Sequence, residues 1–229
     1  MRSSLFGENT ELDRPEGMYL QNPRLLKVEL NGDLLARQGA MVAYQGEIAF
    51  AYEGAGGVGK FLKKALTGEG IPLMRCSGRG DLFLAQHGCE LHLVDLVDEA
   101  LTVNGPNVLA FSEGLTWDIK QVQGASILAG NVFNMTFTGT GRIALAAYGT
   151  PVVLDAGSAP TYADIQSAIA WGAGLQTRLV RTAKASALVG RGSGEAFQLA
   201  FTGQGMVVIQ SSEGAYVPKH DHKSAGDWL

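Results

Sequence analysis

The feature of this sequence that most constrains its fold is a short glycine pattern, Ser/Thr-Gly-x-Gly, three copies of which recur at similar spacing. The copies begin at Ser77, Thr138 and Thr202, and a strand-like apolar segment follows each of them. Their spacings of 61 and 64 residues indicate a tandem of similar β units. We expect each copy to form a tight turn between two antiparallel strands, because glycine adopts positive φ without steric cost.

The two later copies belong to longer matching segments, residues 131–141 and 195–205. Each segment has two phenylalanines four residues apart with an aliphatic residue midway: Phe133, Met135 and Phe137, then Phe197, Leu199 and Phe201. Alternate residues of a strand share a face, so each unit is predicted to place these side chains in the core. The following strands, 142–148 and 206–210, are expected to return across the glycines, which makes each unit a hairpin.

The composition agrees with an all-β fold of tandem β-hairpin repeats. The chain has 31 glycines and only 7 prolines, a balance that suits many tight turns between short strands. Strands are expected at 25–30, 34–37, 41–44 and 47–52, with Asn31-Gly32 as a hairpin turn between the first two. Very little helix is predicted, with short segments at 59–67 and 164–172.

Three regions are expected along the chain. Residues 1–23 are predicted to be an irregular N-terminal arm, 24–214 a β-repeat domain with breaks between pseudo-repeats near 75 and 130, and 215–229 a polar tail. The N-terminus lacks the apolar core of a signal peptide, and no apolar run approaches the roughly 18 residues of a membrane span. Two cysteines, Cys76 and Cys89, suit a reducing compartment. We therefore expect a cytoplasmic protein.

Charge is unevenly distributed, although the net charge is only −4. Residues 54–80 carry a balance of +4, and residues 82–118 carry a balance of −6 with no Lys or Arg. Such patches would meet favourably between subunits, or they are simply solvated surface. Nucleic acid is not an expected partner, because a negative chain without a dense basic stripe lacks the electrostatic term that dominates such binding.

A basic turn after the first glycine-rich segment is the candidate interaction surface. Its residues are Lys60, Phe61, Leu62, Lys63, Lys64, Leu66 and Glu69. This combination of lysines and apolar residues would suit contact with a second subunit, with another protein, or with an anionic lipid surface. An ordinary solvated loop has the same composition.

Other motifs do not complete a chemical site. Gly54 to Lys60 has the spacing of a phosphate-binding loop, but Phe61 stands where Ser or Thr would bind Mg²⁺. His87, Cys89 and His92 would not all point to one side of a strand, which suits a metal poorly. The sequence therefore predicts no catalytic residues, no metal and no cofactor. The glycine loops 54–59 and 190–194 remain candidates for holding a small ligand or an anion.

One stretch resembles a known family. Residues 59–70, followed by Ser77-Gly78-Arg79-Gly80, resemble the signature of the altered-inheritance-of-mitochondria (mitochondrial biogenesis) family. That signature is a Lys/Arg-containing turn, then Leu-x-Gly-Glu-Gly, a strand and a small-Gly-x-Gly hairpin. Residues 170–176 and 190–205 also resemble bacterial members, so the likeness covers about 25–213.

The resemblance implies a fold like that of the tryptophan RNA-binding attenuator protein, a double-stranded β-helix-like sandwich built from internal repeats. It implies neither RNA binding nor particular catalytic residues. The mitochondrial branch of the family is linked to inner-membrane organisation, which suggests assembly or membrane-adjacent scaffolding.

The predicted function is that of a non-enzymatic, self-associating scaffold or interaction module of the bacterial cytoplasm. Residues 60–70 and the acidic region 90–118 are its expected contact surfaces, and a homo-oligomer is the expected assembly. Two alternatives remain open. One is a small-ligand or anion-binding module, and the other is a peripheral membrane protein that uses the basic 60–66 turn.

Overall fold

Strands dominate the protein. The computed structural model describes residues 3–13, 17–53, 72–121, 133–181 and 197–212. Within these ranges the helical segments are α1 (Ser4–Glu8) and one 3-10 turn at Gly105–Asn107. The prediction of an all-β fold with very little helix is confirmed.

The described residues form fourteen strands, five of which are long. In chain order they are β1 (Gly17–Asn22), β2 (Leu25–Arg37), β3 (Met41–Glu53), β4 (Leu73–Leu84), β5 (Glu90–Asn104), β6 (Val108–Ser112), β7 (Thr116–Gln121), β8 (Phe133–Ala147), β9 (Val152–Asp155), β10 (Thr161–Asp164), β11 (Ala168–Gly172), β12 (Gln176–Arg181), β13 (Phe197–Thr202) and β14 (Met206–Ile209). Strands β2, β3, β4, β5 and β8 have 12 to 15 residues. A typical strand has about 5–6 residues, so these five provide the framework.

All strand pairs are antiparallel and form two sheets. The larger sheet has the order β3-β4-β2-β6-β8-β5-β11-β14-β9, with β1 added beside β2 and β7 beside β8. The smaller sheet has the order β10-β13-β12. Among the described strands, β3 and β9 therefore end the long path of the larger sheet.

The core follows from the alternation of side chains along the long strands. On β2, Leu26, Val28 and Leu30 share one face and are buried. On β4, Leu82 and Leu84 lie directly opposite Val28 and Leu26 and are buried with them. Complete burial of one such side chain is worth about 1.5–3 kcal/mol, which fixes the register of this pair of strands.

The units at β7–β8 and β12–β13 pair in the same way. Thr138, which starts the second glycine pattern, lies opposite Thr116, and Thr202, which starts the third, lies opposite Gln176. Counting these two, each strand pair extends over six residue pairs. In the core, Phe137 packs edge-to-face on Phe111 at 4.8 Å between ring centroids, and Phe201 packs on Trp171 at 5.3 Å.

The glycine pattern does not turn the chain, and the prediction of a hairpin at each copy is wrong. The first two copies lie inside β4 and β8, and the third lies between β13 and β14, which belong to different sheets. Gly78 and Gly80 have φ of 134° and 147°. A Cβ at Gly78 would lie 2.1 Å from the carbonyl oxygen of Glu47, and one at Gly80 would lie 2.0 Å from that of Gln45. The glycines therefore let β3 and β4 approach closely at a bend.

Asn31-Gly32 is not a hairpin turn either. The strands predicted at 25–30 and 34–37 are one strand, β2, and those predicted at 41–44 and 47–52 are one strand, β3. β2 pairs with β4 without interruption from Leu26 to Arg37. This long-range pairing outweighs the local turn preference of Asn31-Gly32.

The helix predicted at 164–172 is also wrong. Residues 161–164 and 168–172 form β10 and β11, and a short turn joins them. The Asp164 carboxylate accepts hydrogen bonds from the backbone N–H groups of Gln166 and Ser167, at 2.7 and 3.2 Å, and so stabilises that turn. Residues 168–171 are buried between β5 and β14, which favours an extended conformation over a helix.

The segment predicted as an irregular arm at 1–23 contains β1, which pairs with β2. Lys27 of β2 holds the preceding residues in place. Its ammonium group is buried, pairs with Glu11 and Asp81, and lies 5.8 Å from the ring centroids of Tyr19 and Phe83. Burial disfavours this charge, but hydrogen bonds to Glu11, Tyr19 and Asp81 outweigh it and hold the pKa of Lys27 above its ordinary value.

Residue 75, near which the sequence suggests a break between pseudo-repeats, lies inside β4 and pairs with both β2 and β3. The second suggested break, near 130, and the tail 215–229 lie outside the described residues.

Candidate interaction surface

Strand β3 presents a long edge of the larger sheet. It pairs with β4 along its length, and no other described strand pairs with it. Proteins usually protect such an edge with Pro, Lys or a very short strand, because its free backbone groups can pair with another chain. β3 has thirteen residues, contains neither Pro nor Lys, and carries only Glu47 and Glu53 as charged residues.

One face of β3 carries a row of exposed apolar side chains, which we call the β3 apolar row. Its members are Met41, Tyr44, Phe50 and Tyr52, which are 40, 47, 37 and 57% exposed. They lie directly opposite the buried β4 residues Leu84, Leu82, Cys76 and Met74. Because opposite residues of an antiparallel pair share a face, the row continues the core-facing side of the sheet into solvent.

The row is also bent. The rings of Tyr44 and Phe50 make an edge-to-face contact at 5.3 Å between centroids. In a straight strand, residues six positions apart would be separated by about 20 Å. The strand bends between them, at Gly46 (φ 95°) and opposite Gly80 of the glycine pattern. Ile48, in the bend, is the buried side chain of β3.

The opposite face of the same strands is polar and is organised by Arg75. Its guanidinium group donates two hydrogen bonds to Glu53, at 3.0 and 3.2 Å, one to Asp33 at 2.8 Å and one to Glu113 at 3.1 Å. These partners come from β3, β2 and the turn after β6. Arg75 therefore fixes the end of β3 to the rest of the sheet.

These contacts shift the pKa values of Arg75 and Asp33. Hydrogen bonds to Glu53, then to Asp33, raise the pKa of Arg75. The hydrogen bond from Arg75, followed by one from Ser77, lowers the pKa of Asp33. Both groups are thus charged at neutral pH.

The residues predicted as the interaction surface, Lys60, Phe61, Leu62, Lys63, Lys64, Leu66 and Glu69, lie outside the described residues. So do the glycine segments 54–59 and 190–194 and the helix predicted at 59–67. The chain that contains the basic turn connects Glu53 of β3 to Leu73 of β4, which are a directly paired couple of residues. The β3 apolar row is not among the predicted surfaces, although the alternation Tyr44, Ile48, Phe50, Tyr52 is visible in the sequence.

Several charges of the acidic region 90–118 have partners within the chain. Asp95 makes a two-point contact with Arg142, and Glu113 binds Arg75. Cys76 and Cys89 are free and buried, and burial raises the pKa of the Cys76 thiol to about 11. In the described parts of the chain, no three His, Cys, Asp or Glu side chains come together in a way that could hold a metal ion. Nor does any described helix have the length and apolar character needed to cross a membrane.

Comparison with known proteins finds a similar fold and a matching family model over most of the chain. The fold is similar to an X-ray crystal structure of a Streptococcus pyogenes protein, with a TM-score of 0.69 and 20% identity, over 85% of this chain and 92% of that chain. No curated protein matches this chain significantly. The family model for mitochondrial biogenesis AIM24 matches residues 19–212, nearly all of the strands described above. The chain therefore belongs to the mitochondrial biogenesis AIM24 family.

Proposed function

We propose that this protein is a non-enzymatic, self-associating scaffold of the cytoplasm, and that a second copy of the chain covers the β3 apolar row. The observation that carries the proposal is the combination, on one strand, of a thirteen-residue edge with which only β4 pairs among the described strands and a core-facing row that is exposed. Either feature alone is common at protein surfaces. Together they offer backbone pairing and apolar burial to the same partner.

The free energies involved indicate that stable association needs both the backbone pairing and the apolar burial. Covering the exposed halves of four large side chains is worth about 3–6 kcal/mol, if complete burial of each is worth about 1.5–3 kcal/mol. Association costs about 4–15 kcal/mol in lost translational and rotational freedom. The row by itself would leave binding weak. Backbone hydrogen bonds along β3 supply the additional stabilisation, so we expect an extended strand of the partner copy against this edge.

The test is the mass of the protein in solution, measured by light scattering at low and moderate salt. We expect an oligomer for the wild type. The double variant Tyr44→Lys plus Tyr52→Lys should be a monomer, because two charges on the row would lose hydration in the interface. The matched control, Ala43→Lys plus Ala49→Lys, places the same charges on the other face of β3 and should keep most of the assembly.

Two results would overturn the proposal. One is a wild-type monomer at high protein concentration in both salts. The other is an oligomer whose mass is unchanged by the lysines on the apolar row, which would place the subunit contact elsewhere. Circular dichroism of each variant verifies that the β fold is retained.

A further inference from the structure

A slot opens in the larger sheet where strand pairing is interrupted. On the side of β2 away from β4, β1 pairs with residues 25–29 and β6 pairs with residues 34–36. Residues 30–33 of β2 have no described strand beside them on that side. β6 also separates β2 from β8, and it ends at Ser112. Beyond that point the two strands enclose a cleft of about 680 Å³, which we call the β2–β8 slot.

The walls of the slot combine aliphatic and charged side chains. Met18, Val28, Leu30, Leu34 and Leu96 supply aliphatic surface, and Val97 lies at the rim with 71% exposure. The charged lining residues are Glu29, Asp33, Asp95, Glu113 and Arg142. A cleft with an apolar body and a few converging polar groups is the usual form of a small-molecule site.

Most of these charges are already paired. Arg142 binds Asp95 at 2.6 and 2.9 Å and donates a further hydrogen bond to the carbonyl oxygen of Met18 at 2.7 Å. Arg75 forms ion pairs with Asp33, Glu113 and Glu53. Two guanidinium groups thus face four carboxylates before Glu29 is considered, which leaves an excess of negative charge.

Glu29 is the group without a counter-charge. It is half-buried, lines the slot, and has no hydrogen bond or ion pair with any other described residue. Directly opposite it on β4 lies a second carboxylate, Asp81, whose own ion pair is with Lys27. A half-buried carboxylate beside another negative group gains most from a cation that enters the slot.

We propose that the β2–β8 slot binds a small organic cation, an alkylammonium or alkylguanidinium compound, with its charge on Glu29 and its chain along the aliphatic wall. Charge complementarity selects the sign, and the apolar lining selects an organic body over a bare ion. The described carboxylates do not group into a set that could hold a metal, which agrees with this choice. The proposal is independent of self-association, because the slot is built within one chain.

The experiment is calorimetric titration of the full-length protein with three probes of the same length: hexylamine, 1-hexanol and hexanoate. We expect heat of binding with hexylamine and none with the neutral or the anionic probe. Glu29→Gln should weaken hexylamine binding about tenfold, since it removes a charged acceptor of almost unchanged shape. The matched control is Glu99→Gln, an exposed β5 carboxylate outside the slot, which should bind like the wild type.

A second variant keeps the test decisive if Glu29→Gln does not fold. Val97→Trp at the exposed rim narrows the slot without entering the core, and it should also weaken hexylamine binding at least tenfold. Absence of binding to the wild type, equal binding of 1-hexanol, or equal loss in Glu29→Gln and Glu99→Gln would each overturn the proposal. Binding of oligolysine without binding of hexylamine would overturn it too, because the ligand would then be a polypeptide.

Discussion

Two glycines near the bend in β3 and β4 allow two destabilising effects of a glycine-to-alanine substitution to be measured separately: backbone strain and a steric clash. Gly32 and Gly78 lie directly opposite each other on β2 and β4. Both have a positive φ, 128° and 134°. A Cβ at Gly32 would meet nothing within 4 Å, whereas one at Gly78 would lie 2.1 Å from the carbonyl oxygen of Glu47. The first site therefore tests backbone strain alone, and the second tests strain together with a backbone clash.

The expected losses follow from these geometries. Gly32→Ala should cost about 1–3 kcal/mol of unfolding free energy, the range for a non-glycine residue held in a sparsely populated conformation. Gly78→Ala should add about 1–3 kcal/mol, because β3 must move away from β4 to admit the methyl group. Gly172→Ala is the matched control, since Gly172 ends β11 without positive φ and a Cβ there meets nothing within 4 Å. That variant should differ from wild type by less than about 1 kcal/mol.

The assay is urea denaturation followed by circular dichroism, at one fixed protein concentration because self-association would make stability depend on concentration. The three variants should be ordered Gly172→Ala, Gly32→Ala, Gly78→Ala from most to least stable. If Gly78→Ala were as stable as Gly32→Ala, the close approach of β3 to β4 would not constrain this position, and our account of the glycine pattern would fail.

Three further outcomes are expected. Lys27→Met should lower the unfolding free energy by about 1.5–3 kcal/mol, which is the range for a hydrogen bond to a charged group. It should also make the segment before β1 more sensitive to protease. Equal cleavage of the variant and the wild type would contradict the anchoring role of Lys27. Arg75→Gln should destabilise the protein at neutral pH. The loss of unfolding free energy relative to wild type should become smaller in acid. Because the pKa of Asp33 is lowered, its contact with Arg75 stabilises the fold while Asp33 is charged, and this contribution is lost as Asp33 is protonated. A loss that stayed constant down to about pH 2 would contradict this role of Arg75. The Cys76 thiol, with its pKa raised to about 11, should react with a disulfide reagent only after unfolding, as absorbance at neutral pH would show.

Parts of this architecture could be predicted from the sequence because they depend on local alternation. Met135, Phe137, Leu199 and Phe201 are buried as their two-residue spacing indicates. The sequence indicates that the glycine pattern matters for the fold but does not determine its role, because positive φ at Gly78 is compatible with a bend as well as with a turn. Which of the two occurs depends on whether the strand keeps its long-range partner.

The candidate sites illustrate the same limit. The β2–β8 slot depends on where β1 begins and β6 ends along β2, residues far apart in sequence. The exposure of the β3 apolar row depends on β3 being the last of the described strands in the sheet path. The order of the strands and the points where their pairing stops both depend on residues far apart in sequence. The alternation within β3 alone therefore does not predict that Tyr44 and Tyr52 are exposed.

Strand pairs β7–β8 and β12–β13 have matching registers although the connections within them differ in length. Residues 122–132 connect the first pair and residues 182–196 connect the second, four residues more, yet both pairs meet in equivalent positions. Alignment is thus dictated by the strands, and each doubling of a connection costs only about 0.6 kcal/mol. We therefore expect an insertion in either connection to leave the register of its strand pair unchanged.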